Sequence, residues 1–231
     1  MGSLSSRLYD AFIYKSRWHY ITDGLGMTII ITIGALILGL VLGALSAIVK
    51  VAAKNTKKGV GLCIADIVVT VYLTVIRGTP TVVQLMIMYF VIWKSGTSLQ
   101  VAITAFGINS GAYLAEVMRS GIQSVDRGQT EAGRSLGLSY WQTMRKIILP
   151  QAFKNVAPAI FNEFITLLKE TSVSGYVGIQ ELTKGGDIIR SLTYDAMPPL
   201  LMVALIYLVI VIGLTRILAL IERRMAQSDL R

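Results

Sequence analysis

From Gly24 to Val49 the chain reads GLGMTIIITIGALILGLVLGALSAIV, with no charged side chain anywhere in the run. An apolar run beyond about 18 residues crosses a bilayer as a helix, since each residue adds about 1.5 Å against a hydrocarbon core of roughly 30 Å. Further apolar stretches follow, and the pattern predicts five spans, near 22–49, 79–95, 98–119, 157–177 and 197–221. The expected fold is all-α and polytopic, a single transmembrane domain over 1–231. Residues 59–77, GVGLCIADIVVTVYLTVIR, are also apolar, but Asp66 interrupts them and Arg77-Gly78-Thr79-Pro80 ends them. They read as a helix packed along the bundle from the cytoplasmic side, turning into the second span at Pro80.

Charge orients this bundle. There are 22 Lys and Arg against 13 Asp and Glu, a net charge of +9, and the basic residues gather at the ends of apolar runs. That distribution is topology rather than a nucleic-acid groove. Lys50, Lys54, Lys57 and Lys58 follow the first span; Arg119, Arg127, Arg134, Arg145, Lys146 and Lys154 lie between the third and fourth; Arg223, Arg224 and Arg231 close the chain. The positive-inside rule places all three groups in the cytoplasm, with the N-terminus outside and the C-terminus inside. A sixth crossing at 59–77 would put the largest group outside. Lys94, Lys184 and Arg190 are fewer on the other side, although Arg7, Lys15 and Arg17 weaken the contrast.

Few chemistries remain. One cysteine, Cys63, allows no internal disulfide, and one histidine, His19, allows no multi-histidine metal site, so no metal is expected. The first apolar run exceeds the 7–15 residues of a signal-peptide core and lacks a cleavage pattern, so it reads as a retained span. MGSLSS matches the N-myristoylation pattern formally, but the spans already anchor the chain. No G-x-x-x-x-G-K-[ST] loop occurs, so ATP is not bound here and energy must come from a partner or a gradient.

The segment Glu131 to Phe153, EAGRSLGLSYWQTMRKIILPQAF, departs from this apolar pattern. Ser139 with Gln142 is a capping-box pattern, predicting a helix that begins there and stops at Pro150. Tyr140, Trp141, Met144, Ile147 and Ile148 would form its apolar face. QTEAGRSLG reads as a shorter helix closed by a left-handed Gly137. Ala132 and Gly133 beside Glu131 leave a low-bulk surface suited to a close-docking partner. An amphipathic helix lying on the bilayer is the plainer reading of the same pattern.

Glu131-Ala132-Gly133, then Gly137, Ile147 and Leu149-Pro150 resembles the EAA loop of ABC-transporter permeases, here within residues 126–154, with Gly133 where the pattern usually has Ala. VIRGTPTVVQ (Val75–Gln84), INSGAYLAEVMRSGIQSV (Ile108–Val125) and LLKETSVSGYVGIQEL (Leu167–Leu182) extend the likeness to the permeases of polar amino-acid ABC importers, the histidine, glutamine and arginine uptake group. The resemblance implies a type I importer fold with about five transmembrane helices plus cytoplasmic coupling helices, in a bacterial inner membrane. It implies as partners a cytoplasmic ABC ATPase dimer that binds the ATP, a second permease subunit and an extracytoplasmic amino-acid-binding protein, in contact with membrane lipid and without nucleic acid. The second subunit is another copy or a paralogue. It also implies that Glu131, Ala132, Gly133, Gly137, Leu138 and Trp141 face the ATPase as its coupling surface. No covalent catalysis is expected.

The fourth span is the most polar: IFNEFITLLKETSVSGYVG. If it enters near Ala157, Glu163 to Thr166 lies about 9–14 Å deep. A carboxylate there costs on the order of 3 kcal/mol or more facing lipid, so it must face a partner or a watery path. Glu163, Thr166, Leu167, Glu170 and Ser174 share one helical face, and a substrate-binding role falls on Glu163, Thr166, Glu170 and Ser174, with Asn109 as a further candidate. A carboxylate at that depth suits the cationic end of arginine, lysine or histidine. Neutralisation of Glu163 and Glu170 by Arg77, Lys169 or a second subunit is the structural alternative. A gradient-driven secondary transporter with Glu163 or Glu170 as its ion site is the competing function, although the chain has no obvious duplicated halves.

Overall fold

The computed structural model describes residues 3–55 and 59–228. Gly2 of the acylation pattern, Lys57, Lys58 and Arg231 lie outside the described residues. The described residues are helices and short connections: α1 (Leu4–Leu8), α2 (Trp18–Asn55), α3 (Val60–Arg77), α4 (Thr81–Ile87), α5 (Ser98–Gln123), α6 (Arg127–Ser135), α7 (Tyr140–Thr143), α8 (Leu149–Glu170), α9 (Leu182–Thr193) and α10 (Met197–Ser228). Among the described residues α2, α3, α5 and α10 are long and apolar enough to cross a membrane. The expected fourth span is met by α8 and a tight turn over Thr171–Val177. Its polar residues keep it outside that apolar class.

The centre of the molecule is the α2–α5 pair. Small residues let the two backbones approach: a Cβ on Gly107 would lie 2.7 Å from Leu38 Cδ2, and one on Gly43 2.8 Å from Leu114 Cβ. The register shows direction. Gly34 meets Ile103, Gly39 meets Ser110, Gly43 meets Leu114, and Lys54 Nζ donates to Gln123 Oε1 at 3.2 Å. Positions rise together, so α2 and α5 run parallel. A parallel pair requires an odd number of crossings between its members, and α3 and α4 together make one broken crossing. Lys50 on α2 pairs with Asp66 on α3 at 2.7 Å, Tyr72 Oη donates to the Ile108 carbonyl at 2.6 Å, and Tyr89 meets Ser98 at the far end.

The break is at Gly78–Pro80. Gln84 Nε2 donates to the Ile76 and Thr79 carbonyls at 2.7 and 3.0 Å, satisfying acceptors that the end of α3 leaves open. The Arg77 guanidinium lies over the Tyr113 ring at 5.6 Å. α8 runs antiparallel to α5, with Asn155 Nδ2 donating to Ser124 Oγ at 3.0 Å, Glu163 beside Ser110, and Leu167 in one cluster with Phe106, Ile31 and Leu85. α9 and the start of α10 close the end opposite Lys50, where Leu182 N donates to Thr28 Oγ1 at 3.2 Å.

The predicted helix end at Pro150 is not where the helix ends: a wide turn over Met144–Ile148 carries the helix beginning at Tyr140 into α8. Leu149 N reaches back five residues to the Met144 carbonyl, so Pro150, which has no N–H, falls in the first turn of α8, where none is required.

Candidate transport path and coupling surface

On α8, Glu163, Thr166 and Glu170 are half-buried. The Glu163 carboxylate lies beside the Ser110 hydroxyl, which is fully buried and has no partner of good hydrogen-bond geometry among the described residues. Glu170 lies beside the Thr81 hydroxyl and the Lys169 ammonium, within electrostatic reach of Glu163. No salt bridge to either carboxylate forms among the described residues, and Arg77 is engaged elsewhere. Leu167 turns into the apolar core, and Ser174 is fully buried with an unpartnered hydroxyl among the described residues. Asn109 is 2% exposed, and its Nδ2 donates to Gln84 Oε1 at 2.9 Å. It links α5 to the corner that Gln84 caps.

The coupling segment is built as two helices around a tight turn. Gly137 takes a φ of 78°, and Leu138 N donates to the Gly133 carbonyl at 3.1 Å, closing α6. Ser139 and Gln142 form the reciprocal cap of α7, at 3.3 Å to Ser139 Oγ and 2.8 Å to Gln142 Oε1. Glu131 and Ala132 are exposed on α6, Leu138 is half-buried, and Trp141 is 75% exposed, off the apolar face the spacing assigned to it. Gly133 departs from the low-bulk docking surface expected of it. It is buried, and a Cβ there would lie 2.7 Å from Thr143 Cγ2. Its smallness seats α7 against α6 within the chain. A cleft of about 400 Å³ runs between Lys54, Gln123, Arg127, Glu131, Arg134 and Tyr140.

The sequence model of a family described as the inner membrane component of binding-protein-dependent transport systems matches residues 62–227. The chain belongs to this family. The permease is 37% identical over 214 residues to the arginine transport system permease protein ArtQ of Bacillus subtilis, covering 91% of this chain and 94% of that one. It is 38% identical over 208 residues to the glutamine transport system permease protein GlnP of Escherichia coli K12, covering 88% and 91%. In fold it is similar to a chain of a crystal structure of an amino acid ABC transporter with histidines, at 37% identity, TM-score 0.83 and coverage of 92% and 98%. An inward-facing MetNI methionine ABC transporter chain, 22% identical with TM-score 0.75, shares the fold. The permease therefore has the type I ABC permease architecture.

Glu181, not singled out from the sequence beyond its place in a motif, is a buried carboxylate satisfied by backbone donors. It is fully buried and accepts from Thr183 N and Lys184 N, both at 2.7 Å, capping α9. Burial pushes its carboxyl above the usual range, opposed by those backbone donors. Its position just before LTKGG was the available signal.

Proposed function

We propose that the permease is the membrane subunit of an ATP-driven importer for amino acids with basic side chains, working with a cytoplasmic ATPase pair, a second permease subunit and an external binding protein. In this reading the N-terminus is outside and α6–α7 lie in the cytoplasm, where Glu131, Ala132, Leu138 and Trp141 meet the ATPase while Gly133 and Gly137 shape the helices that present them. Glu163, Thr166 and Glu170 line the path, with Ser174 at its outer end. The observation that carries it is the half-buried Glu163 carboxylate without a cationic partner among the described residues. A passing ammonium or guanidinium supplies the missing charge, and an acidic side chain would be repelled. The arginine permease relative supports this choice. The glutamine permease relative favours a second reading, in which Ser110 and Thr166 hydrogen-bond a neutral amide and the carboxylates serve the α-ammonium common to all amino acids.

The test is ATP-dependent uptake of labelled arginine, lysine, histidine, glutamine and glutamate into proteoliposomes holding the complete transporter. Glu163→Gln is expected to weaken uptake of basic amino acids by about 10- to 100-fold, the worth of a charged hydrogen bond of about 1.5–3 kcal/mol, and to spare glutamine. Glu131→Lys is expected to abolish uptake of every substrate. Equal loss for glutamine and arginine in Glu163→Gln supports the amide reading; unchanged uptake of all substrates removes Glu163 from the path. Uptake driven by an ion gradient without the ATPase overturns the ABC reading.

A further inference from the structure

Residues 3–17 carry apolar side chains that the rest of the chain leaves uncovered. Leu4 is 61% exposed, Tyr9 56% and Ile13 59%, with Leu8, Tyr14 and Trp18 also exposed. The segment is nonetheless fixed in place. Arg7 donates from Nε and Nη2 to the two Asp195 oxygens at 2.6 and 2.7 Å, a fork matched to a carboxylate. Ala11 is buried in one cluster with Ile21, Leu182 and Ile189. Lys15 and Ser16 both have left-handed backbone, at φ 52° and 53°, and make an elbow ahead of α2 that Arg17 closes by donating to the Asp10 carbonyl at 2.6 Å. Two successive non-glycine residues in that conformation are a costly corner. It redirects the chain before it enters the bundle.

We infer that residues 3–17, helical turns up to Ile13 and then the elbow, form an interfacial segment lying in the plane of the membrane surface, with the lipid headgroup layer as its partner. The inference rests on reading α2 as a membrane span. α2 follows directly from the elbow, and its exposed Ile29, Ile30, Ile33 and Ile37 face lipid in that reading, so the elbow sits where the span leaves the hydrocarbon. The uncovered set is that of an interfacial segment: aliphatic side chains beside Tyr9, Tyr14 and Trp18, while Ser5, Ser6 and Asp10 supply polar groups. Lys15 and Arg17 lie 5.5 and 5.1 Å from the Tyr14 ring, cations placed to meet lipid phosphates. This accounts for the basic residues that weakened the charge contrast. Arg7 is neutralised by Asp195, and the other two belong to the headgroup layer.

The experiment uses the complete transporter with Cys63→Ser, in vesicles of phosphatidylethanolamine and phosphatidylglycerol. Nitroxides are attached at Leu8→Cys, Ile13→Cys, Ser6→Cys and, as a reference, Ile37→Cys; collisions with oxygen and with a water-soluble nickel chelate give depth. Leu8 and Ile13 are expected to favour oxygen at depths of about 5–10 Å and Ser6 to favour nickel. Arg7→Ala is expected to mobilise the Leu8 label, and Arg7→Asp with Asp195→Arg to restore it. Leu8 and Ile13 labels that favour nickel, or that are shielded from both reagents by a neighbouring subunit, overturn the proposal when Ile37 reports hydrocarbon. An Ile37 label in water sinks the membrane reading of α2 itself.

Discussion

The carboxylates include two kinds, those paired with a cationic neighbour and those with no salt bridge among the described residues. Asp195 is of the first kind: the hydrogen bonds from Arg7 chiefly, helped by the Met197 N–H at 3.2 Å, hold its carboxyl below the ordinary 3.8. A carboxylate with a lowered folded pKa stabilises above its unfolded value and loses that contribution as pH falls through the folded one. The clasp between the N-terminal segment and the α9–α10 corner is therefore expected to hold from neutral pH down to 3.8 and to open below it. Mobility of a nitroxide at Leu8 reads this directly. It should be flat at higher pH and rise in acid, whereas Asp195→Asn should be mobile throughout. Glu163 is of the second kind. Its place within a predicted span was visible in the sequence; that no salt bridge reaches it among the described residues was not. Asn109 shows what was not visible: its spacing in the sequence does not reveal that its amide bonds Gln84, twenty-five residues away.

Among the helices, the coupling segment was legible in its ends and not in its packing. Gly137 and the Ser139–Gln142 cap depend on neighbours within a few residues, so spacing alone identified them. Gly133 and Pro150 depend on what lies across the turn. Gly133 is small because Thr143 and Ile147 press on it, and Pro150 is tolerated because the wide turn over Met144–Ile148 removes the need for its N–H. The Gly133 contact predicts a coupled pair. Gly133→Ala puts a methyl 2.7 Å from Thr143 Cγ2, and overpacking of this sort costs about 1–3 kcal/mol. Thr143→Ala removes that methyl and a hydroxyl with no partner among the described residues. The double variant should thus be more stable than Gly133→Ala alone, with a coupling of at least about 0.5 kcal/mol in thermal unfolding of the assembled transporter. Strict additivity of the two substitutions would mean that α6 and α7 do not rest on this contact.

Over the whole molecule, the parallel α2–α5 pair fixes how many times the chain crosses between them. α3 alone is 18 apolar residues, about 27 Å at 1.5 Å each, nearly enough to cross, and hydropathy cannot distinguish it from an independent span. Were α3 and α4 each a full crossing, α5 would run against α2 and the contacts of Gly34, Gly39 and Gly43 could not rise in step along α5. The two geometries differ in where the ends of α3–α4 emerge. With Cys63→Ser as background, Val60→Cys and Ser95→Cys should label from opposite sides of the membrane. Trp141→Cys and Tyr194→Cys, at 75% and 96% exposure in the native chain, mark the two sides independently, with α8 between them. An impermeant maleimide on intact spheroplasts is expected to reach Ser95→Cys and Tyr194→Cys, and to reach Val60→Cys and Trp141→Cys only after permeabilisation. Val60→Cys and Ser95→Cys labelling together would make α3 a separate span. The same four sites labelled with the sides exchanged would keep the single broken crossing, reverse the orientation, and move the Glu131 surface away from the cytoplasm where an ATPase could reach it.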